Sequence, residues 1–132
     1  MKGKVEFQKF ITREDLFANS DAVYVFGDNM TRTGLGGQAR QMRYEPNSIG
    51  VPTKWRPSMT DDAFFVDDDF EKIVGTLQED FEKIKTAIDS GKRVVFPADG
   101  LGTGLSQLQQ RSPKIYAYIE SNIVKLAEYS QT

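Results

Sequence analysis

The stretch AVYVFGDNMTRTGLGG, residues 22–37, joins a continuously apolar segment to a loop rich in glycine. Residues 22–26 are β-branched, aromatic or small and apolar, which is typical of a strand buried on both faces of a sheet. Gly34, Gly36 and Gly37 then leave the following loop without side chains just before a short helical segment. Such a loop lets an anion, for example a phosphate, approach backbone N–H groups closely. The stretch therefore predicts a central strand followed by an anion-binding loop.

A second stretch has the same arrangement. KRVVFP, residues 92–97, is predicted as another buried strand, and it leads into ADGLGTGLSQL, residues 98–108. In open α/β sheets the loops at the carboxyl ends of the strands form the ligand crevice, so both glycine loops are expected to meet at one site. For each loop taken alone, a tight turn is the structural alternative. Neither loop fits the P-loop pattern or the dinucleotide-binding fingerprint, which argues against kinase and Rossmann-type functions.

Helical segments alternate with the predicted strands. The most regular one lies between Asp68 and Gly91, where apolar residues recur at helical spacing, Asp68 and Glu71 form a predicted capping box, and Gly91 is the predicted C-cap. The other predicted elements are an edge strand in residues 4–10, a short helix capped by Thr12 and Asp15, a helical stretch in 37–44, a buried strand in 47–52, and a helix from Ser112-Pro113 to about Tyr129. This alternation predicts a single α/β domain over residues 1–132, with helices packed on a central sheet.

The composition excludes several kinds of chemistry. The 132 residues include no cysteine and no histidine, which removes disulfides, thiolate nucleophiles, imidazole bases and the usual zinc ligands, so neither a metal nor a cofactor is expected. The chain has no apolar run long enough for a membrane span and no secretory signal, so we expect a cytoplasmic protein. The formal charge of −2 argues against nucleic acid as a partner.

Polar residues near the strand ends are candidates for ligand binding. Asp28 and Asn29 follow the central strand and could hydrogen-bond ribose hydroxyls, with an Asx turn as the alternative. Basic residues cluster in and after the first loop, where they could neutralise phosphate. For Arg40 and Arg43 a solvated surface is the favoured interpretation, and for Lys54 the two interpretations are balanced. The cluster consists of Arg32, Arg40, Arg43, Lys54 and Arg56.

These segments together resemble the macro domain superfamily, in particular its branch of ADP-ribose glycohydrolases and ADP-ribose-1''-phosphate phosphatases. EDLFA (14–18) resembles the segment whose aspartate binds adenine, GDNMTRTGLGG (27–37) the loop around the distal ribose, VPTK (51–54) the segment with the catalytic lysine, and GLGTGLSQL (100–108) the diphosphate-binding loop. The resemblance implies a three-layer macro-like fold with a central mixed sheet. It also implies a catalytic role for Lys54 and ligand contacts by Asp15, Asp28, Asn29, Gly34, Gly36, Gly37, Gly102, Thr103, Gly104, Leu105 and Ser106.

One position departs from the glycohydrolase pattern. Ser106 stands where those enzymes carry an aspartate, and a hydroxyl cannot act as a general base without a partner such as histidine. Asp99 in the same loop is the candidate catalytic carboxylate, with a turn residue as the alternative.

The resemblance implies binding of ADP-ribose or a related nucleotide, with hydrolysis of an ADP-ribosyl linkage or of a 1''-phosphate as a further activity. The alternative is a non-catalytic protein that sequesters a nucleotide signal. Similarity to small macro-like proteins of tailed bacteriophages fits this alternative, and it would place the protein in the host cytoplasm.

Overall fold

All four strands of the protein belong to one sheet. In the computed structural model, which describes residues 1–132, the strands are β1 (Val5–Gln8), β2 (Ala22–Asp28), β3 (Ser48–Pro52) and β4 (Arg93–Pro97), in the order β1-β4-β2-β3. Every neighbouring pair is parallel, because each connection crosses over through a helical segment instead of a hairpin. The predicted mixed sheet is therefore wrong. The antiparallel contact between Lys54 and Phe64 is an isolated bridge outside the strands.

Helices cover both faces of this sheet. Val23 and Val25 of β2 belong to one buried cluster, whereas Tyr24 and Phe26 belong to another, because successive side chains of a strand point to opposite faces. The first cluster includes side chains of the third and fifth helices, and the second includes side chains of the first two. The helices are α1 (Arg13–Ala18), α2 (Ala39–Met42), α3 (Phe70–Asp89), α4 (Leu108–Arg111) and α5 (Pro113–Ser130). The predicted α/β architecture is confirmed, with helices on both sides of a parallel sheet.

The helix ends follow the sequence signals in most places. Thr12 precedes α1, and the Asp15 carboxylate accepts a hydrogen bond from the Thr12 backbone N–H at 2.9 Å. Pro113 begins α5, as predicted, whereas Ser90 is the C-cap of α3 and Gly91, the predicted C-cap, follows it with φ +88°. None of the helices combines the length and the apolar character that crossing a membrane requires.

The start of α3 differs from the prediction. Asp69, not Asp68, is the N-cap residue of this helix, and no capping box joins Asp68 to Glu71. The Asp69 carboxylate instead accepts hydrogen bonds from the backbone N–H of Val66 at 2.9 Å and from Trp55 Nε1 at 3.1 Å. A short 3-10 helix, Asp67–Asp69, occupies the turn before α3 and moves the cap by one residue.

Candidate functional site

The two glycine loops meet at the carboxyl end of the sheet. We call residues 29–38 the β2 loop and residues 98–107 the β4 loop. A Cβ atom built on Gly36 of the β2 loop would lie 3.3 Å from Cδ1 of Leu105 in the β4 loop. A Cβ atom built on Gly27, just before the β2 loop, would lie 3.7 Å from the backbone nitrogen of Gly102. The predicted convergence of the two loops is confirmed.

A change in the direction of the chain opens a crevice between these loops. The β2 loop leads to α2 on one face of the sheet, while the β4 loop leads to α5 on the other face. The pairing of β2 with β4 stops at Tyr24 and Val95, whereas β2 and β3 stay paired as far as Asp28 and Pro52. Adjacent strands whose loops leave to opposite faces form the crevice where α/β proteins bind ligands.

Backbone N–H groups in both loops lack a hydrogen-bond acceptor within the protein. None of the N–H groups of residues 34–39 or of residues 101–106 has an acceptor within the protein. Successive unpaired N–H groups carry partial positive charge and form concave sites for phosphate. The two loops that meet at the crevice therefore both carry backbone donors that the protein itself does not use.

The glycines of the β4 loop have two different environments. Gly102 has φ +79°, and a Cβ atom there would lie 2.6 Å from Cδ2 of the buried Leu108. Gly102 is therefore required by the fold. A Cβ atom on Gly104 would have no protein atom within 4 Å, so this glycine faces open space beside the unpaired N–H groups.

A buried ion pair sets the shape of the β2 loop. The Asp28 side chain is 4% exposed, and its Oδ1 lies 2.5 Å from Nη2 of Arg43. Arg43 also donates from Nε to the Gly34 carbonyl at 2.7 Å and from Nη2 to the Thr33 carbonyl at 3.0 Å. The prediction that Arg43 lies on the solvated surface is therefore wrong. Its guanidinium donates hydrogen bonds to two loop carbonyls and pairs with a buried carboxylate.

The side chains of Asp28 and Asn29 form hydrogen bonds within the loop, and their contacts to ribose stay a prediction. Asp28 Oδ1 accepts from the Asn29 backbone N–H at 2.8 Å as well as from Arg43. Asn29 donates from Nδ2 to the Thr33 carbonyl at 2.7 Å, and its Oδ1 accepts from the Thr31 N–H at 3.0 Å. Both side chains are buried and have partners within the protein. The alternative of an Asx turn describes Asn29 correctly.

Arg32 also acts within the fold. Its guanidinium donates to the Gly50 carbonyl at 2.7 Å and to the carboxylate of Asp80, a buried residue of α3, at 2.6 Å. Arg32 therefore connects the β2 loop to β3 and α3. The guanidinium groups of Arg32 and Arg43 both bind carbonyl and carboxylate groups of the protein. These contacts do not support the predicted role of either residue in neutralising phosphate.

Lys54 and Asp99, the two predicted catalytic residues, are not joined by a hydrogen bond or an ion pair. The Lys54 ammonium donates to the Ser58 carbonyl and lies 3.6 Å from Met59 Sδ and 4.5 Å from the centre of the Phe64 ring. Burial, with a smaller contribution from Arg111 and Arg56, lowers the pKa of Lys54. Asp99 is exposed in the β4 loop. The geometry does not pair these groups for acid-base chemistry.

Asp15 lies at the start of α1. Its carboxylate accepts from the Thr12 N–H at 2.9 Å and from Gln8 Nε2 at 3.0 Å, so it links α1 to the end of β1. The side chain is half-buried and remains partly accessible to a ligand. The contact with adenine that the resemblance implies stays a prediction.

Glu120 of α5 is a half-buried carboxylate that the sequence did not single out. A Cβ atom on Gly100 of the β4 loop would lie 2.9 Å from Glu120 Oε1, and this oxygen is buried without a hydrogen-bond partner. Burial raises the pKa of Glu120. Tyr116 lies one turn earlier on α5, and its pKa is raised by burial and, to a smaller extent, by the charge of Glu120. Glu120 therefore places a desolvated acid directly behind the β4 loop.

The raised pKa of Glu120 predicts a stability effect that depends on pH. The folded protein binds the proton of the Glu120 carboxyl more tightly than the unfolded chain does. The free energy of unfolding therefore falls as the pH rises from the unfolded pKa of this carboxyl through its folded pKa. We expect Glu120→Gln to raise the free energy of unfolding at pH 7 by about 0.5–1 kcal/mol, after allowing for partial exposure. The gain should disappear below about pH 4, where the unfolded carboxyl is also protonated. Urea unfolding at several pH values measures it.

The exposed Glu128 of α5 provides the control for this experiment. Glu128→Gln should leave the difference from the wild type small at every pH. A Glu120→Gln variant whose gain persists unchanged at low pH would show that desolvation of the charge is not the cause.

Two surface depressions are lined by residues outside both unpaired N–H runs. A groove of about 610 Å³ runs between α3 and α5, and its lining includes Phe81, Tyr118 and Tyr129. A smaller one of about 320 Å³ lies beside β3 and is lined by Arg32, Asp80 and Lys83 among others. The chemistry of the unpaired N–H groups, and not cavity size, distinguishes the crevice. No group of three or more acidic side chains is arranged to hold a metal ion.

The fold and the site define an α/β protein with two glycine loops at a crevice of a parallel sheet. Residues 6–122 match DUF7831, which is described as a family of unknown function. This match includes both glycine loops and most of the chain, so the protein belongs to that family. No curated protein and no solved structure matches the chain. The macro domain resemblance therefore stays a prediction.

Proposed function

We propose that this protein binds ADP-ribose or a closely related nucleotide in the crevice between the β2 and β4 loops. The observation that supports the proposal is the pair of unpaired N–H runs, residues 34–39 and 101–106, at one topological switch point. A diphosphate has acceptor oxygens on two phosphorus atoms and can accept hydrogen bonds from both runs at once. The neighbouring Thr103 and Gly104 are accessible, as a ligand contact requires.

The proposal is binding without turnover. Hydrolysis of an ADP-ribosyl linkage or of a 1''-phosphate would need a group that activates water or stabilises a developing charge. Lys54 donates to the Ser58 carbonyl, Asp99 is exposed and apart from it, and Ser106 is a neutral hydroxyl. These contacts favour a protein that sequesters or reads a nucleotide signal over a hydrolase.

Calorimetric titration with ADP-ribose, followed by chromatography of the mixture, tests this function. The unchanged ligand is expected after incubation, and the same holds for ADP-ribose-1''-phosphate and for an ADP-ribosylated peptide. The release of ADP-ribose or of phosphate would instead make the protein a hydrolase. If neither ADP-ribose nor ADP binds, the proposal is wrong.

The substitution Gly104→Val tests the location of the ligand. Because no protein atom lies within 4 Å of a Cβ atom at this position, the new side chain has room in the free protein and occupies only the space beside the N–H groups. We expect the affinity for ADP-ribose to fall at least about tenfold with an unchanged melting temperature. Gly75→Val is the matched control, since Gly75 on α3 also has no neighbour within 4 Å and lies far from the crevice in sequence. Equal affinities for both variants would place the ligand elsewhere.

A further inference from the structure

Two hydroxyl groups form a short chain beneath the β4 loop. Thr53 follows β3 and is completely buried, and its Oγ1 donates to the Asp28 carbonyl at 3.1 Å. The same Oγ1 lies 2.6 Å from Oγ of Ser106, the last residue of the unpaired N–H run. The chain therefore joins the ends of β2 and β3 to the β4 loop.

The direction of this chain follows from the number of protons. A hydroxyl has one proton to donate, and a carbonyl oxygen can only accept. If Thr53 donated to Ser106, its oxygen would face the Asp28 carbonyl at 3.1 Å with lone pairs on both atoms. Both contacts are satisfied when Thr53 donates to Asp28 and Ser106 donates to Thr53. The Ser106 proton thus points into the protein.

This direction gives Ser106 a definite polarity toward a ligand. Ser106 is half-exposed and its side chain has no other hydrogen-bond partner, so it presents only lone pairs to the crevice. A phosphate oxygen without a proton is itself only an acceptor and cannot bond to these lone pairs. The partner of Ser106 must be a donor, such as a sugar hydroxyl.

We propose that Ser106 accepts a hydrogen bond from a sugar hydroxyl of the ligand and that Thr53 is the positioning residue that fixes this polarity. The inference rests on the proposed function and narrows it. The acceptor lies at one end of the N–H run of residues 101–106, so the ligand carries a hydroxyl-bearing sugar next to its phosphates. A polyphosphate that ends without such a sugar leaves Ser106 unpaired, which costs affinity.

The direction of the hydroxyl chain can be measured without a ligand. In the wild type, NMR should detect slowly exchanging hydroxyl protons of Ser106 and Thr53, because both are held in hydrogen bonds. Thr53→Val removes the acceptor of the Ser106 proton, so this proton should exchange with water too fast to be observed. Thr53→Ser restores the hydroxyl and should restore the slow exchange. A Ser106 proton that exchanges fast in the wild type as well would overturn the assigned direction.

Binding then tests the sugar contact. The probes are ADP-ribose, ADP, and ADP-ribose analogues in which fluorine replaces one hydroxyl of the distal ribose, since fluorine cannot donate. We expect one of the analogues to bind the wild type about tenfold more weakly than ADP-ribose does. Ser106→Ala should abolish this difference, Thr53→Val should reduce it, and Thr53→Ser should retain it.

The outcomes separate the two proposals. If the wild type binds ADP-ribose and every fluorinated analogue equally, the contact with a sugar hydroxyl is refuted while nucleotide binding stands. If the wild type binds none of the probes, the proposed function and the sugar contact both fail, and the NMR measurement alone decides the hydroxyl direction. A preference that Ser106→Ala leaves intact would assign the sugar contact to another residue.

Discussion

Replacing Arg43 with methionine is expected to lower the free energy of unfolding by about 3 kcal/mol, the lower end of the range for breaking a buried ion pair. The cause is the Asp28 carboxylate, which is 4% exposed and would lose its partner at 2.5 Å. Arg32 remains 3.6 Å away and compensates a part of the charge, so the upper end of the range is not expected. A lower urea midpoint with an unchanged denaturant slope is the measurement.

Arg40→Met is the matched control, because Arg40 lies on α2, which Arg43 directly follows, and its exposed side chain makes no ion pair. It should change the free energy of unfolding by less than about 0.5 kcal/mol. Asp28→Asn combined with Arg43→Met should recover a part of the loss, since no unpaired charge is then left in the interior. A loss below about 1 kcal/mol for Arg43→Met alone would mean that water reaches Asp28 and that the pair does not hold the β2 loop.

The second large effect is expected at Gly102 in the β4 loop. Gly102→Ala forces a side chain into the left-handed region at φ +79° and brings Cβ to 2.6 Å from Leu108, which is buried and cannot move away. Backbone strain and overpacking each cost about 1–3 kcal/mol, so we expect a loss of about 3 kcal/mol. The affinity for ADP-ribose should fall as well, because the N–H groups of residues 101–106 depend on this turn. Denaturant unfolding and calorimetry measure the two effects.

Gly104→Ala separates strain from the general effect of adding a methyl group to this loop. Gly104 lies two residues further along, without a positive φ and without a neighbour within 4 Å of its Cβ position. This variant should unfold within about 0.5 kcal/mol of the wild type. If Gly102→Ala is equally harmless, the turn at Gly102 is not fixed by Leu108.

The strands that carry the site could be predicted because they are buried on both faces. Residues 22–26 and 94–97 are apolar without interruption, and this pattern predicted both β2 and β4 and the position of the loops after them. The helical spacing before Gly91 likewise predicted α3. Whether the strands pair in parallel or antiparallel could not be predicted in the same way. The pairing depends on how the chain connects the strands and not on the residues of one strand.

The contacts that shape the site depend on partners far away in sequence. The sequence favours an exposed Arg43 because a basic residue in a polar segment usually is exposed, and its burial requires Asp28 at the end of β2. Thr53 and Ser106 form their hydrogen bond only because β3 and β4 end beside the same strand. Thr53 and Ser106 are 53 residues apart, and no motif in the sequence links them, so the sequence does not predict this hydrogen bond. Glu120 was missed for the same reason, since its neighbour Gly100 belongs to another element.

The position of β1 at the edge of the sheet has a consequence for the order of assembly. Its one strand partner is β4, and the register pairs Val5 with Val94. While a ribosome makes the chain, β2 and β3 can pair early, but β1 stays without a strand partner until residues 93–97 of β4 have been made. Long-range pairings of this kind close slowly and late. The β4 loop is made after β4 itself, so the crevice is completed only after residues 98–107 have joined the β2 loop.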